Sequence, residues 1–203
     1  MKLKGIMLFV TVLMLVTITG TSWARVHDER LQAQKIALEK TDVSLSQVID
    51  SIESSHHVKV IRAEVEPYSL SEGPMCYELY ASDGSSSWID SVFTYTKAKK
   101  FYVDVRTGNL LGQGKPFWRY FYFSAAGKAN AVNRVKLSMS QAIPIAESAT
   151  GGKTVLVRVH RDSGIVFYQI TMIVNDSLKR VLVDSYNGKV TEVPADRHGH
   201  FKD

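Results

Sequence analysis

One short pattern is written twice in this chain, in the same order, and each copy prescribes a capped helix followed by strands. Ser44-Leu45-Ser46-Gln47-Val48-Ile49 returns as Ser138-Met139-Ser140-Gln141-Ala142-Ile143, Glu53-Ser54 as Glu147-Ser148, and Val103-Asp104 through Gly108 as Val183-Asp184 through Gly188. Each Ser-x-x-Gln matches a capping box, in which the serine oxygen takes an orphan N–H at the third helical residue and the glutamine reaches back. Leu45, Val48, Ile49 and Ile52 then fall on one helical face, and Met139, Ala142, Ile143 and Ala146 repeat that spacing. Pro144 removes one backbone bond and is tolerated only close to the first turn, so Ser140 competes with Ser138 as the second cap. Gly151-Gly152 stops the second helix, while the first runs out less sharply at Ser54-Ser55-His56-His57.

Strand patterns follow the helices. Val155, Val157 and Val159 alternate with polar or larger residues. The run from Ile165 to Val174 places Val166, Tyr168, Ile170, Met172 and Val174 on one face for a helix to cover. Asp162-Ser163-Gly164 is the turn between them. A third strand, Lys179 to Asp184, passes through Ser185-Tyr186-Asn187-Gly188 into Lys189 to Val193, and Asn-Gly predicts a tight two-residue hairpin there. Phe101 to Asp104, Thr107-Gly108 and Asn109-Leu110-Leu111 occupy the same places in the first copy. Asp104 and Asp184 resemble a ligand pair, but an aspartate ahead of a glycine turn commonly accepts from that turn's own N–H groups, so Asp104, Gly108, Asp184 and Gly188 read as structural turn residues. The first copy also carries an insertion near residues 83–96, around Asp83-Gly84-Ser85-Ser86-Ser87, in the form of a longer polar hairpin. The expected fold is α+β: two tandem units, each a helix packed on a small antiparallel sheet.

The flanks define the remaining segments. Lys2 and Lys4, an apolar run from Ile6 to Ile18, and Ser22-Trp23-Ala24 read as a signal peptide over 1–24, with an uncleaved anchor as the alternative. A helical leader over 25–40, with Ala33, Ile36 and Ala37 on one side, precedes the first unit at 41–114. An aromatic connector at 115–134, the second unit at 135–193 and a tail at 194–203 complete the plan. The net charge of +5 includes both signal-peptide lysines, so the exported part has a weak surplus that does not argue for nucleic acid. Membrane contact is expected only through the signal peptide. Cys76 is the one cysteine, which excludes an intramolecular disulfide and a cysteine-built zinc site within one chain.

A helix opened by Ser-x-x-(Ala/Val)-Ile, a glycine stop, a strand pair with a tyrosine, and a closing Val-Asp-x-x-(Thr/Asn)-Gly-x-(Val/Leu) hairpin together resemble the PepSY domain. The resemblance is close over residues 135–193, through Ala142-Ile143, Ala146, Gly152, Tyr168 and Val183 to Val190. It is weaker over 41–114, where His57-Val58 replaces Gly151-Gly152. The resemblance implies an extracytoplasmic setting, periplasmic or extracellular, and a role in binding and restraining peptidases or other envelope proteins. It implies no catalytic residue and no cofactor.

There is no His-Glu-x-x-His, Gly-x-Ser-x-Gly or phosphate-cradling glycine loop, and scattered Ser, His and Asp are too plentiful to point to a triad, so a non-enzymatic protein is expected. His56-His57 and His198-Gly199-His200 leave open a periplasmic metal-binding or signal-sensing accessory module, although histidines in loops are commonly just solvated. Phe117-Trp118-Arg119-Tyr120-Phe121-Tyr122-Phe123 packs six aromatics into seven positions. Either it lies between the two units, or Phe117, Trp118, Tyr120 and Tyr122 form an exposed edge that takes a protein partner by strand addition. Cys76 aligns with Phe167, on the strand face opposite Tyr168, and is expected half-covered beside Glu78, with an intermolecular disulfide as the sharper possibility.

Overall fold

The computed structural model describes residues 28–68, 73–83, 98–114 and 128–194. Its elements run α1 (28–39), α2 (Leu45–His56), β1 (Lys59–Pro67), β2 (Met75–Ser82), β3 (Ala98–Asp104), β4 (Leu110–Gly114), α3 (128–132), α4 (Met139–Thr150), β5 (Lys153–Asp162), β6 (Ile165–Val174), β7 (Ser177–Asp184) and β8 (Val190–Val193). The strands form one antiparallel eight-stranded sheet in the order β4-β3-β2-β1-β5-β6-β7-β8. Two separate small sheets were expected. Instead β1 and β5 pair through Arg62↔Arg158, Ala63↔Val157 and Glu64↔Leu156, so the inner edges of the two halves satisfy each other's backbone groups. The α2 and α4 helices also pack against each other on one face of this sheet.

Both helices begin as their sequences dictate. Ser44 and Ser138 are the N-caps, each with a complete capping box to Gln47 or Gln141. Ser140 is therefore not the cap. Its hydroxyl lies 2.8 Å from that of Ser138, and Pro144 sits inside the helix, where the missing N–H leaves the Ser140 carbonyl without its usual partner. Leu45, Val48, Ile49 and Ile52 are buried, as are Met139, Ala142, Ile143 and Ala146. Opposite them Tyr77, Leu79, Phe101, Val103, Val157, Tyr168, Ile170, Met172 and Val183 are almost wholly buried, in agreement with the strand alternation. Each half repeats one long hydrogen bond: Tyr77 donates to the Val43 carbonyl at 3.1 Å, and Tyr168 to the Leu137 carbonyl at 2.8 Å.

The turns depart from expectation in one respect. Ser163 and Gly164 both have positive φ, as do Asn175 and Asp176, so the two-residue hairpins join β5 to β6 and β6 to β7. At Asn187-Gly188 only the glycine is left-handed. Asp184 accepts from the N–H groups of Tyr186 (2.7 Å) and Asn187 (3.3 Å), which holds a longer turn closed by a 2.9 Å Gly188 N–H to Asp184 carbonyl bond.

The opposite face of the sheet carries α1. Its buried side is Leu31, Gln34 and Leu38, whereas Ile36 is half exposed, so the expected Ala33-Ile36-Ala37 face is rotated. The cause is polar: Gln34 donates to the Val65 carbonyl at 2.9 Å, Arg30 pairs with Glu66, and Lys35 pairs with Asp176. The helix thus contacts both halves. Cys76 lies on this face and is fully buried, not half-covered. Burial, with Glu78 and Glu66 nearby, pushes its thiol up to about 12, so it offers neither access nor thiolate for an intermolecular disulfide. The connector ends in the short helix α3, which was not anticipated. The segment 1–27, most of the 83–96 insertion, the aromatic run 117–123 and the tail beyond residue 194 lie outside the described residues.

Candidate binding edge and groove

Pairing of β1 with β5 leaves β4 and β8 as the outer strands of the sheet. Among the described residues no strand pairs with either outer side. An outer strand presents a row of free N–H and C=O groups to any incoming chain and is commonly guarded by charge. β8 has Glu192, which faces Lys179 at 3.6 Å. β4 reads Leu-Leu-Gly-Gln-Gly and has no charged side chain. Its pairing with β3 shifts between Tyr102↔Gly112 and Val103↔Leu110, leaving Leu111 as an extra residue, whereas β7 and β8 pair without interruption. Leu110 and Leu111 are 43% and 39% exposed, which is unusual for adjacent leucines in a strand.

A groove of about 460 Å³ opens between α2 and this edge. Val43, Val48, Ile52, Val103 and Leu110 supply its apolar walls, and Asp42, Gln47, Ser51, Ser55, His56, Thr107 and Asn109 its polar rim. The β3–β4 turn holds one wall in place. Asp104 accepts from Arg106 N–H (3.0 Å), Thr107 N–H (2.7 Å) and the Thr107 hydroxyl (3.0 Å), and the Thr107 backbone bond foremost holds its carboxyl below the usual carboxylate range. Gly108 has φ +73°, and a Cβ there would stand 3.2 Å from Val43 Cγ2, so a glycine is what lets this turn close against the chain entering α2.

The second half shows why the groove is open. A Cβ on Gly188 would meet Leu137 Cδ1 at 3.3 Å and Ile145 Cδ1 at 3.5 Å, so Ile145 fills the space between α4 and the β7–β8 turn. The residue at the matching helical position of α2 is Ser51, which is exposed. Val43 likewise stands where the second half has Leu137, so two smaller side chains, Ser51 and Val43, flank the cleft in place of Ile145 and Leu137. The signal was present in the aligned copies, but only the placement of β4 beside α2 gives it meaning.

The other singled-out residues are not gathered into one site. His56 lines the groove with its ring 4.7 Å from that of Phe101, while His57 is exposed in a left-handed conformation. They face different surroundings, and no group of three or more His, Cys, Asp or Glu that could hold a metal ion occurs among the described residues. His198, His200, Phe117, Trp118, Tyr120 and Tyr122 lie outside them. Asp184 and Gly188 form the β7–β8 turn, remote from the groove in sequence and in sheet order.

No curated protein sequence matches the chain at a significant level. Among solved structures, a protein described as a lipoprotein from Clostridium difficile 630 is similar at 16% identity and a TM-score of 0.43, over 75% of this chain and 94% of that one. The C-terminal domain of YpeB from Bacillus megaterium is similar at 15% identity and a TM-score of 0.26, over 75% of this chain and 66% of that one. Residues 136–193, which hold α4 and β5 to β8, match the family model PepSY, "Peptidase propeptide and YPEB domain", and this part of the chain is a PepSY domain.

Proposed function

We propose that the chain is an exported, non-enzymatic binding protein that holds an extended segment of a protein partner, a peptidase or another envelope protein, along β4. The observation that carries this reading is the open groove beside an uncharged outer strand, in the half where the second half's Ile145 has become Ser51. Strand addition gives affinity through main-chain hydrogen bonds, and a neighbouring pocket gives selectivity through one side chain. The space between α2 and β4 suits an apolar residue with a polar neighbour. Phe117, Trp118, Tyr120 and Tyr122 follow β4 in sequence and in this reading add apolar contact. A peptidase as partner draws on the family description matched by residues 136–193, and export on the signal-like residues 1–24.

The same proposal makes the first half a diverged second PepSY unit. Its support is a set of matching bonds. The capping boxes recur, the tyrosine bonds recur, and Glu53 accepts from Val60 N–H at 2.9 Å as Glu147 does from Thr154 N–H at 2.9 Å. Asp104 N–H donates to the Asn109 carbonyl at 2.8 Å, as Asp184 N–H does to that of Lys189 at 2.9 Å.

A photo-crosslinking amino acid at Leu111, compared with one at Thr191 on β8, tests the binding edge in the native envelope. The expected result is a defined adduct from position 111 that Ser51→Ile abolishes without lowering thermal stability. Adducts of equal yield from both strands, or binding by the purified partner that Ser51→Ile leaves unchanged, would overturn the reading.

A further inference from the structure

A second surface lies at the other end of the molecule, where the β5–β6 hairpin, the β7–β8 turn and the chain leaving α3 converge. A cleft of about 370 Å³ is lined there by Ala131, Val135 and Val166, with Arg134 and Arg161 contributing charge and Ile165 and Tyr186 standing at the opening. Ile165 is 51% and Tyr186 68% exposed, the latter the most exposed large apolar side chain among the described residues. The Lys136 ammonium sits 5.2 Å from the centre of the Tyr186 ring.

The charges that line this cleft are of one sign. Its lining contains two guanidinium groups and no carboxylate. Among the described residues neither arginine has an acidic side chain within ion-pair distance. Asp162, next to Arg161, accepts from the Ser163 hydroxyl at 3.1 Å, and Asp184, next to the lining residue Ser185, accepts from the N–H groups of its own turn. Three other clefts bounded by described residues each include a carboxylate, from Asp42, from Glu64, and from Glu39 and Asp176. An apolar cleft with uncompensated cations complements a ligand that pairs an apolar side chain with flanking negative charge.

We propose that this cleft binds an acidic peptide segment, with an apolar side chain between Val135 and Val166 and carboxylates on Arg134 and Arg161. Tyr186 covers the bound side chain, and its cation contact with Lys136 keeps the ring at the mouth. A flat anionic membrane is the poorer fit. The charged groups line a concavity sized for one or two side chains, and they do not ring a protruding apolar tip. This surface is separate from the β4 edge and does not rest on the function proposed for it.

The test uses the full exported chain and a fluorescent peptide, Glu-Glu-Leu-Phe-Glu-Glu, titrated by anisotropy at low salt. Its Gln-for-Glu counterpart and vesicles containing phosphatidylglycerol are run alongside. The acidic peptide is expected to bind at least about tenfold more tightly than the glutamine peptide. Arg134→Glu and Arg161→Glu are each expected to weaken binding roughly fivefold, the upper range for an exposed ion pair, and Tyr186→Ala to weaken both peptides alike. All three residues are exposed, so unchanged melting confirms that the variants fold. Ser51→Ile is expected to leave the affinity unchanged, which keeps this result independent of the β4 groove. Equal binding of the two peptides, binding insensitive to both arginine reversals, or vesicle binding without peptide binding overturns the proposal.

Discussion

Gly151 and Gly152 are adjacent, yet glycine is required at each for a different reason, and the two can be separated by measurement. Gly151 ends α4 with φ +71°, and a Cβ there would meet nothing within 4 Å. Replacement by alanine therefore costs only the left-handed backbone, about 1 kcal/mol. Gly152 has no left-handed φ, but its Cβ would stand 2.6 Å from Val174 Cγ2, 2.8 Å from the Ile173 carbonyl oxygen and 3.2 Å from Met172 Cβ. The valine methyl can rotate away. The carbonyl cannot, because Ile173 pairs with Lys153, the next residue of β5. Relief needs a shift of roughly half an ångström at the start of the strand, and overpacking of this kind costs about 1–3 kcal/mol. Reduced freedom of the unfolded chain offsets roughly 0.5 kcal/mol of that. Gly152→Ala is therefore expected to lower Tm by roughly 1–10 °C, given about 2–4 °C per kcal/mol for a chain of this size. Gly152→Val should be worse still, while Gly151→Asn should be better tolerated than Gly151→Ala. Thermal and urea melts followed by circular dichroism read all four. If Gly152→Ala matches the wild type, or if Gly151 and not Gly152 shows the dependence on side-chain size, the close-approach argument is wrong. In the first half Val58 occupies the matching position and is buried, because there Lys59 already pairs with the last residue of β2.

Two further outcomes follow from the same geometry. His57 holds the left-handed C-cap of α2 at φ 51° and ψ 48°, so His57→Gly is expected to stabilise the protein by about 1 kcal/mol, seen as a higher urea midpoint with an unchanged slope; an unchanged or lower midpoint refutes it. Burial raises the Glu66 carboxyl to about 7, against the opposing pull of Arg30, and Glu64 and Glu78 push the same way. The folded state then binds this proton more tightly than the unfolded state. The associated stability is complete below about pH 4.5 and is lost as pH rises towards 7, at most roughly 3 kcal/mol. Glu66→Gln keeps an acceptor for Arg30 and removes the titration, so the variant is expected to match the wild type near pH 4.5 and exceed it at pH 8. A difference that does not change with pH disproves the assignment.

What could be read from the chain divides by the range of the interactions involved. Capping boxes, buried helix faces and strand alternation depend on neighbours three or four residues away, and Ser44, Ser138, Leu45, Ile143 and Tyr168 stand where their spacing requires. The Asn187-Gly188 turn departs from its dipeptide preference because the Asp184 carboxylate reshapes it. The β1–β5 seam was hidden for another reason. It sets Arg62 directly opposite Arg158, a pairing disfavoured by charge alone, and it works because Glu64 meets Arg62 at 2.7 Å and Gln169 meets Arg158 at 2.6 Å. Glu64 stands two residues from Arg62 on the same strand and Gln169 lies opposite Arg158 on β6, so each arginine is satisfied within its own half. The rotation of α1 likewise depends on Gln34, a polar residue buried for the sake of one backbone carbonyl. At the groove the decisive residue was visible, as Ser51 aligned with Ile145, but its consequence depended on which strand lay beside it.

The seam also fixes where an incoming strand can add to the sheet. Four strands alone have two exposed edges, and pairing of β1 with β5 removes one from each half, which leaves β4 and β8 as the outer strands among the described residues. Any strand addition must then occur at β4 or β8, at opposite ends of the sheet. At β8 the matching groove is filled by Ile145 and the strand carries Glu192, both of which oppose an incoming chain. At β4 the groove is open and the charge is gone, which by itself would invite a second copy of the same strand. The extra residue at Leu111 limits that outcome, since a bulge twists the edge and breaks the regular register that two identical flat strands need. It also turns out a leucine that a complementary partner can cover. The combination of an open pocket, an uncharged edge and a local irregularity excludes self-pairing more than it excludes a shaped ligand, because such a ligand needs the pocket and not an unbroken register.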